Sequence, residues 1–351
     1  MTIQTVSEDL KKRSKHARDW TPTDGRLLDI EDLQVEFRTQ QGVAKAINGV
    51  SFTLDQGETL AILGESGSGK SVTAQAIMGI IDSPPGFITG GKVKYAGVDL
   101  LTQPEKVRRT VRGSQISMIF QDALSALNPV FPVGWQIAEM MREHWGWNKS
   151  DSMARAVELM ERVRIPGAKQ RVNAYPHQFS GGMRQRIMIA MAIALDPIVL
   201  IADEPTTALD VTVQAQIMEL LAELQAESNM GLILITHDLG VVADVADRVA
   251  IMYAGRIVET GDIFEVFKRP AHAYTRGLLE SIPRLDQKGE KLYAIGGLPP
   301  NLLRIPAGCP FNPRCRFVAQ GCTVGSAPEL LEIMPGRWSA CLEYERVLAD
   351  A

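Results

Sequence analysis

Gly64-Glu65-Ser66-Gly67-Ser68-Gly69-Lys70-Ser71, continued by Val72, is the stretch on which the fold turns. It follows the apolar run Leu60-Ala61-Ile62-Leu63 and leads into a helical pattern over residues 71–81. A Gly-x-x-x-x-Gly-Lys-Ser spacing therefore falls between a buried strand and a helix, the context that gives this spacing its meaning. The glycines let the backbone wrap phosphate oxygens with its N–H groups pointing inward, and the following helix adds its positive end. Lys70 supplies a point charge for β- and γ-phosphates, and Ser71 a hydroxyl for Mg²⁺. The stretch predicts a nucleoside triphosphate site.

Working outward, the 351 residues are 45% hydrophobic and 22% charged, which suits a full α/β core plus a smaller second unit. A formal net charge of −4 gives no general attraction to nucleic acid or anionic lipid. No apolar run approaches the roughly 20 residues needed to span a bilayer. Residues 1–26 are polar and mixed in charge and lack the apolar centre of a secretory signal, so they read as a flexible extension. A cytoplasmic chain able to dock on a membrane protein is the expectation.

Strand patterns run through Leu27-Leu28-Asp29-Ile30, Leu33-Gln34-Val35-Glu36-Phe37 and residues 43–52, with a further short strand over 92–98. Residues 105–195 are mostly helical in pattern. Ile137, Met140 and Met141 recur near helix spacing, as do Ala156, Leu159, Met160 and Val163. Pro197-Ile198-Val199-Leu200-Ile201-Ala202 and residues 231–235 read as buried parallel strands around a helix whose face is Val213, Ile217, Leu220, Leu221 and Leu224. Strand–helix alternation predicts a parallel sheet flanked by helices, with the mid-chain helical block as a subdomain. After Gly261-Asp262 the sheet pattern stops, and two short helices are expected over 263–268 and 273–281.

The strand at 197–202 ends in Asp203-Glu204. An acid there can hold Mg²⁺, and the acid after it can polarise an attacking water. Phe179-Ser180-Gly181-Gly182-Met183-Arg184-Gln185-Arg186 opens an apolar helix with Ser-Gly-Gly, a second anion cradle. One triphosphate does not need two cradles in one chain. Two copies facing head to tail would use both.

These motifs together make the chain resemble the ATPase subunit of an ATP-binding cassette transporter. The resemblance implies an α/β phosphate-loop NTPase fold with an inserted helical subdomain over about 105–195, an N-terminal antiparallel β subdomain and a small C-terminal cysteine-containing domain. The cassette would occupy residues 27–262 and the C-terminal domain 263–351. It also implies roles. Residues 64–72 hold the nucleotide and Phe37 stacks on adenine. Gln121, in Ile119-Phe120-Gln121-Asp122, senses Mg²⁺ and water. Ser71, Gln121 and Asp203 hold Mg²⁺, while Glu204, His237, Gln121 and Lys70 carry the chemistry. Ser180, Gly181, Gly182 and Asp210, the last within Ala208-Leu209-Asp210, contact the partner's nucleotide. Phe179 and Met183 depart from the usual leucine and glutamine, and Met183 cannot make a glutamine's hydrogen bonds.

Asp122-Ala123-Leu124-Ser125-Ala126-Leu127-Asn128-Pro129, Tyr175-Pro176-His177-Gln178 and Ala271-His272-Ala273-Tyr274-Thr275-Arg276-Gly277-Leu278-Leu279 resemble the peptide and nickel importer subgroup. That implies a second, unlike ATPase, two permease subunits, an extracytoplasmic binding protein and a place on the cytoplasmic face of the membrane. Nucleic acid is not an expected partner. The implied substrate is a di- or oligopeptide, with nickel, glutathione-like compounds or oligosaccharides as alternatives, and a soluble non-transport cassette ATPase is the competing class. Cys309, Cys315, Cys322 and Cys341 cluster beyond position 308 and argue for a metal or cluster rather than disulfides. Four thiolates suit Zn²⁺ or a [4Fe–4S] cluster equally well by their chemistry. The resemblance, centred on Pro313-Arg314-Cys315, favours the cluster.

Overall fold

A computed structural model describes residues 25–207, 209–281 and 295–350. The expected extension, up to position 24, and Ala208 lie outside the described residues. The described residues divide into two compact units, one of Asp55–Gly57 and Thr102–Leu232, the other of Leu28–Leu54, Glu58–Leu101 and those described within Ile233–Ala351.

In chain order, strands β1 (Arg26–Thr39), β2 (Gly42–Asp55) and β3 (Thr59–Leu63) precede helix α1 (Lys70–Met78) and strands β4 (Gly86–Tyr95) and β5 (Val98–Asp99). Next come α2 (Glu105–Val111), β6 (Ile116–Ile119), α3 (Ala123–Ala126), α4 (Val133–Trp145), α5 (Lys149–Arg162), α6 (Ala168–Arg171) and α7 (Gly181–Ala192). Strand β7 (Val199–Asp203), α8 (Val211–Ser228), β8 (Gly231–Ile235), α9 (Leu239–Val245), β9 (Arg248–Tyr253) and β10 (Arg256–Asp262) follow. The chain ends with α10 (Ile263–Lys268), α11 (Ala273–Glu280), β11 (Leu331–Met334), β12 (Arg337–Ser339) and α12 (Tyr344–Ala349).

The unit carrying β3 holds two sheets. One has the order β2-β1-β4-β5, with β1 and β4 antiparallel from Leu28 opposite Tyr95 to Phe37 opposite Gly86. The other runs β11-β12-β10-β9-β3-β8. Its centre is parallel, Leu60 pairing with Arg248 and Leu63 with Ile251, and its far side is antiparallel through β9, β10, β12 and β11. All five residues of β3 are buried, as a continuous apolar run in a two-sided parallel sheet requires. The expected end of the sheet at Gly261-Asp262 is corrected here. Glu259 pairs with Ser339 and Thr260 with Trp338, so the C-terminal region adds two more strands.

The other unit pairs β6 with β7 in parallel, Ile116 opposite Val199 and Ile119 opposite Ala202, and packs helices α2 to α8 with them. The helical block expected over 105–195 thus also contains a fully buried strand. Helix α4 buries Val133, Gln136, Ile137, Ala138 and Met141, and α5 buries Ser152, Ala156, Leu159 and Met160. Asn148 caps α5 by accepting from the Asp151 N–H. Helix α8 buries Ile217, Met218, Leu220, Leu221 and Leu224, the expected face with Met218 in place of the half-buried Val213.

Candidate nucleotide-binding and hydrolysis site

The phosphate loop leaves the buried end of β3 and enters α1 at Lys70. Two glycines are dictated by close approach. A Cβ on Gly64 would lie 2.3 Å from the Met252 carbonyl oxygen, and one on Gly69, whose φ is +107°, 2.6 Å from that of Ala46. The ammonium of Lys70, 5% exposed, folds over the loop and donates to the carbonyls of Gly64 at 2.9 Å and Glu65 at 3.1 Å. Thr73 Oγ1 donates to the Gly69 carbonyl at 3.0 Å and steadies the first turn of α1. Ser68 Oγ is buried and has no hydrogen-bond partner among the described residues. A buried hydroxyl left unpaired is destabilising unless a ligand engages it. With the buried ammonium beside it, the loop suits a phosphate group.

In the same unit, His237 lies exposed in the bend that follows β8, and Asp238 caps α9 by accepting from the Gly240 and Val241 N–H groups. Phe37 is half-buried near the end of β1, against Gly86 of the neighbouring strand.

The other unit holds the acids. Asp203 is buried at the last position of β7. Glu204 follows with φ +46°, a left-handed conformation uncommon for residues other than glycine. Its Oε2 accepts from Gln121 Nε2 at 3.0 Å and from Thr207 Oγ1 at 2.8 Å. Gln121 and Glu204, 83 positions apart, are thus brought into direct contact. Thr207 was not anticipated. Its only signal was its place three residues after Glu204.

Ser180 caps α7, its hydroxyl accepting from the Met183 N–H, and Asp210 caps α8 by accepting from the Val213 N–H at 3.0 Å. The two helix starts touch: a Cβ on Gly182 would lie 2.7 Å from Val213 Cγ1, whereas one on Gly181 would meet only Leu209 Cδ2, at 3.7 Å. Gly182→Ala should therefore destabilise the protein by about 1–3 kcal/mol through overpacking against a stiff β-branched side chain. Gly181→Ala should be neutral. Thermal unfolding of both variants checks the contrast, and equal midpoints would contradict it.

The two departures in this segment have a shared explanation. Arg171 lies over the Phe179 ring at 4.4 Å, places Nη1 3.4 Å from Met183 Sδ and donates through Nη2 to the Gln178 carbonyl at 3.2 Å. Phe179 is buried, so a cation–π contact and a sulfur contact hold the lead-in to α7 in place.

All four cysteines line one pocket together with His272, Phe311 and Asn312. Among the described residues, no three His, Cys, Asp or Glu side chains stand close enough to hold a metal ion as placed, so the expected ligand set is gathered but not drawn into a metal site. The thiols are free, and burial pushes Cys309 up to about 11 and Cys341 up to about 12. His272 is fully buried. Its Nδ1 accepts the Tyr274 N–H at 3.1 Å, so its own proton sits on Nε2, which has no partner among the described residues. Neither His272 nor Arg314, which forks the Glu65 carboxylate at 2.7 and 2.8 Å, was anticipated as functional. In the sequence each stands only as part of a family motif.

A phosphate loop, a buried acid and a held carboxylate at the end of a strand define a nucleotide-hydrolysing cassette. The ABC transporter family model matches residues 47–207, and that of the oligopeptide/dipeptide transporter C-terminal region matches residues 258–322. The oligopeptide transport ATP-binding protein OppD of Salmonella typhimurium is 51% identical over 317 residues, covering 90% of this chain and 93% of that protein. OppD of Bacillus subtilis is 56% identical over 293 residues, covering 83% and 82%. Among solved structures, a dimeric ATP-binding cassette in a post-hydrolysis state with ADP and Pi aligns with a TM-score of 0.61 at 24% identity, over 68% of this chain and 99% of that one. The structure of cbiO1 from Clostridium perfringens, part of the ABC transporter complex cbiONQ, aligns at 0.59 and 27% identity, over 70% and 92%. The chain belongs to the ATP-hydrolysing subunits of ABC transporters, in the branch that carries the oligopeptide/dipeptide C-terminal region.

Proposed function

We propose that this chain is one of the ATPases of an importer for di- and oligopeptides. The held carboxylate of Glu204 carries the hydrolytic part of this reading. It is aimed by a strained backbone and fixed by Gln121 and Thr207. Glu204 orients and deprotonates the attacking water. Lys70 and His237 offset charge on the transferring phosphoryl group, and Phe37 stacks on the base. Asp203, Ser71 and Gln121 carry the hard oxygen donors that would hold Mg²⁺, which would supply positive charge against the phosphates.

Ser180, Gly181, Gly182 and Asp210 serve the nucleotide of a second, unlike ATPase subunit, and that subunit returns the contact. The domain reading is a cassette over 27–262 with a helical subdomain over about 105–195, followed by a C-terminal domain. Among the described residues no helix is long and apolar enough to cross a membrane. In this reading the chain sits peripherally on the cytoplasmic face, held by two permease subunits. An extracytoplasmic binding protein would deliver the peptide. Reconstitution with the neighbouring permeases tests this. Peptide-stimulated ATP hydrolysis in vesicles is expected, and tight binding to DNA or ribosomes with no permease association would overturn it.

Cys309, Cys315, Cys322 and Cys341 are read as ligands of a [4Fe–4S] cluster, with Zn²⁺ as the alternative. The shared pocket supports this, and so does the unpartnered Nε2–H of His272 beside it, a donor suited to an anionic sulfur. Anaerobically purified protein should contain iron and acid-labile sulfide in equal amounts. Zinc without sulfide would refute the cluster.

A further inference from the structure

Arg314 stands immediately before Cys315, yet its side chain reaches the phosphate loop. It is 5% exposed. Nη1 donates to Glu65 Oε2 at 2.7 Å and Nη2 to Oε1 at 2.8 Å, a two-pronged fork that lysine could not reproduce. Nε donates to the Gly296 carbonyl at 2.9 Å, which fixes the plane of the guanidinium. The main chain of Glu65 is held separately, its N–H donating to Tyr274 Oη at 2.7 Å. Tyr253, Tyr274 and Phe311 pack as an aromatic cluster with ring centroids 4.5, 5.3 and 5.4 Å apart.

Both anchors of Glu65 grow from the walls of the cysteine pocket. Phe311 and Cys315, which flank Arg314 in sequence, line it, and so does His272, the cap of the helix that carries Tyr274. The Phe311 carbonyl also accepts the Arg314 N–H at 3.0 Å. A change in the pocket therefore reaches the loop by two short covalent routes. The fork has an electrostatic consequence as well. Glu65 places a carboxylate in a loop that must accept a polyanion, and Arg314 neutralises it there.

We propose that Arg314 is a positioning residue for the phosphate loop, and that it links nucleotide binding to the state of the cysteine pocket. The inference rests on residues 64–71 being the nucleotide cradle. Linkage is reciprocal: the nucleotide must stabilise the pocket by the factor by which an intact pocket strengthens nucleotide binding.

The first experiment measures binding of a fluorescent ADP analogue, mant-ADP. Arg314→Gln should weaken binding about tenfold, within the usual range of coupled sites. Glu65→Gln removes the exposed charge, so the double variant Glu65→Gln/Arg314→Gln should recover to within about threefold of wild type. A purely structural arginine predicts the opposite, a double variant at least as weak as Arg314→Gln. That result, or wild-type affinity in Arg314→Gln, overturns the linkage. A wild-type chain that fails to bind mant-ADP overturns the cradle along with it. The second experiment needs no variant and so survives misfolding of Arg314→Gln. Release of iron or zinc from the purified wild-type protein to a chelator, or iodoacetamide alkylation of Cys315 read by mass spectrometry if the cysteines hold no metal, should slow about fivefold when ADP is added. An unchanged rate overturns the proposal.

Discussion

Replacing Glu204 with Gln should lower ATP turnover about a thousandfold while leaving nucleotide affinity within a few-fold of wild type. The substitution is close to isosteric. A glutamine carbonyl oxygen can still accept from Gln121 Nε2 and Thr207 Oγ1, which now bond Oε2 at 3.0 and 2.8 Å, so the local geometry should persist. What is lost is a carboxylate able to take a proton from water. Affinity should survive because the proposed phosphate cradle is the loop with Lys70 folded over it, and does not include Glu204. The measurement is ATP hydrolysis by the chain assembled with its partner ATPase and permeases, beside mant-ADP binding. Turnover within tenfold of wild type would remove Glu204 from the role of base. A thousandfold loss with an equal loss of affinity would make it a binding residue instead.

The strained φ of +46° at Glu204 sharpens that expectation. A backbone held in a sparsely populated region persists only where its surroundings enforce it, and such positions gather at reacting centres. The sequence announces the pair Asp203-Glu204 after an apolar run, because a buried parallel strand needs no polar alternation and its end is abrupt. The same reasoning makes β3, β7 and β8 legible, each of them buried at all five positions. It fails for β6, where only four residues, Ile116-Ser117-Met118-Ile119, stand inside a long helical pattern. A run that short has no periodicity to separate strand from helix. It fails again for β12. Arg337 and Ser339 are buried polar residues there, and their partners lie 78 and 68 positions away.

Distance along the chain also decides which parts of the site were legible. The phosphate loop, Ser180-Gly181-Gly182 and the acids each state their chemistry within a few residues. Arg314 and Tyr274 act on Glu65 from 249 and 209 positions away, and nothing beside them in sequence marks that contact. Arg171 lies only 12 positions from Met183, yet the pairing is equally silent, because it depends on how α6 and the lead-in to α7 fold back on each other. The unusual Phe179 and Met183 were visible as departures. Their meaning needed the arginine that touches both.

Arg337→Met should destabilise the fold by about 3–5 kcal/mol, the range for removing one partner of a buried ion pair. Glu259 is 0% exposed and Arg337 4%. Glu259 Oε1 accepts from Arg337 Nη2 at 2.8 Å and from the Ala271 N–H at 2.7 Å, while Oε2 accepts from the His272 N–H at 2.9 Å. Arg337 also donates to the Arg269 carbonyl. One carboxylate thus fastens β10, β12 and the turn into α11. Methionine fills much of the space but leaves that carboxylate buried without its countercharge, and two backbone amides cannot replace it. Neutralising both partners, in Glu259→Gln/Arg337→Met, should return part of the stability, since a glutamine oxygen still accepts one of the two amides. Denaturant unfolding of both variants at one pH measures the difference. A loss below about 1 kcal/mol in Arg337→Met would mean that the charge is already relieved by other means, and a double variant weaker than the single would mean that the pair matters for shape rather than charge. The consequence reaches past stability. The Ala271 and His272 amides lie at the head of the helix that carries Tyr274. A loosened Glu259 therefore disturbs the histidine that faces the cysteines and the tyrosine that holds the phosphate loop.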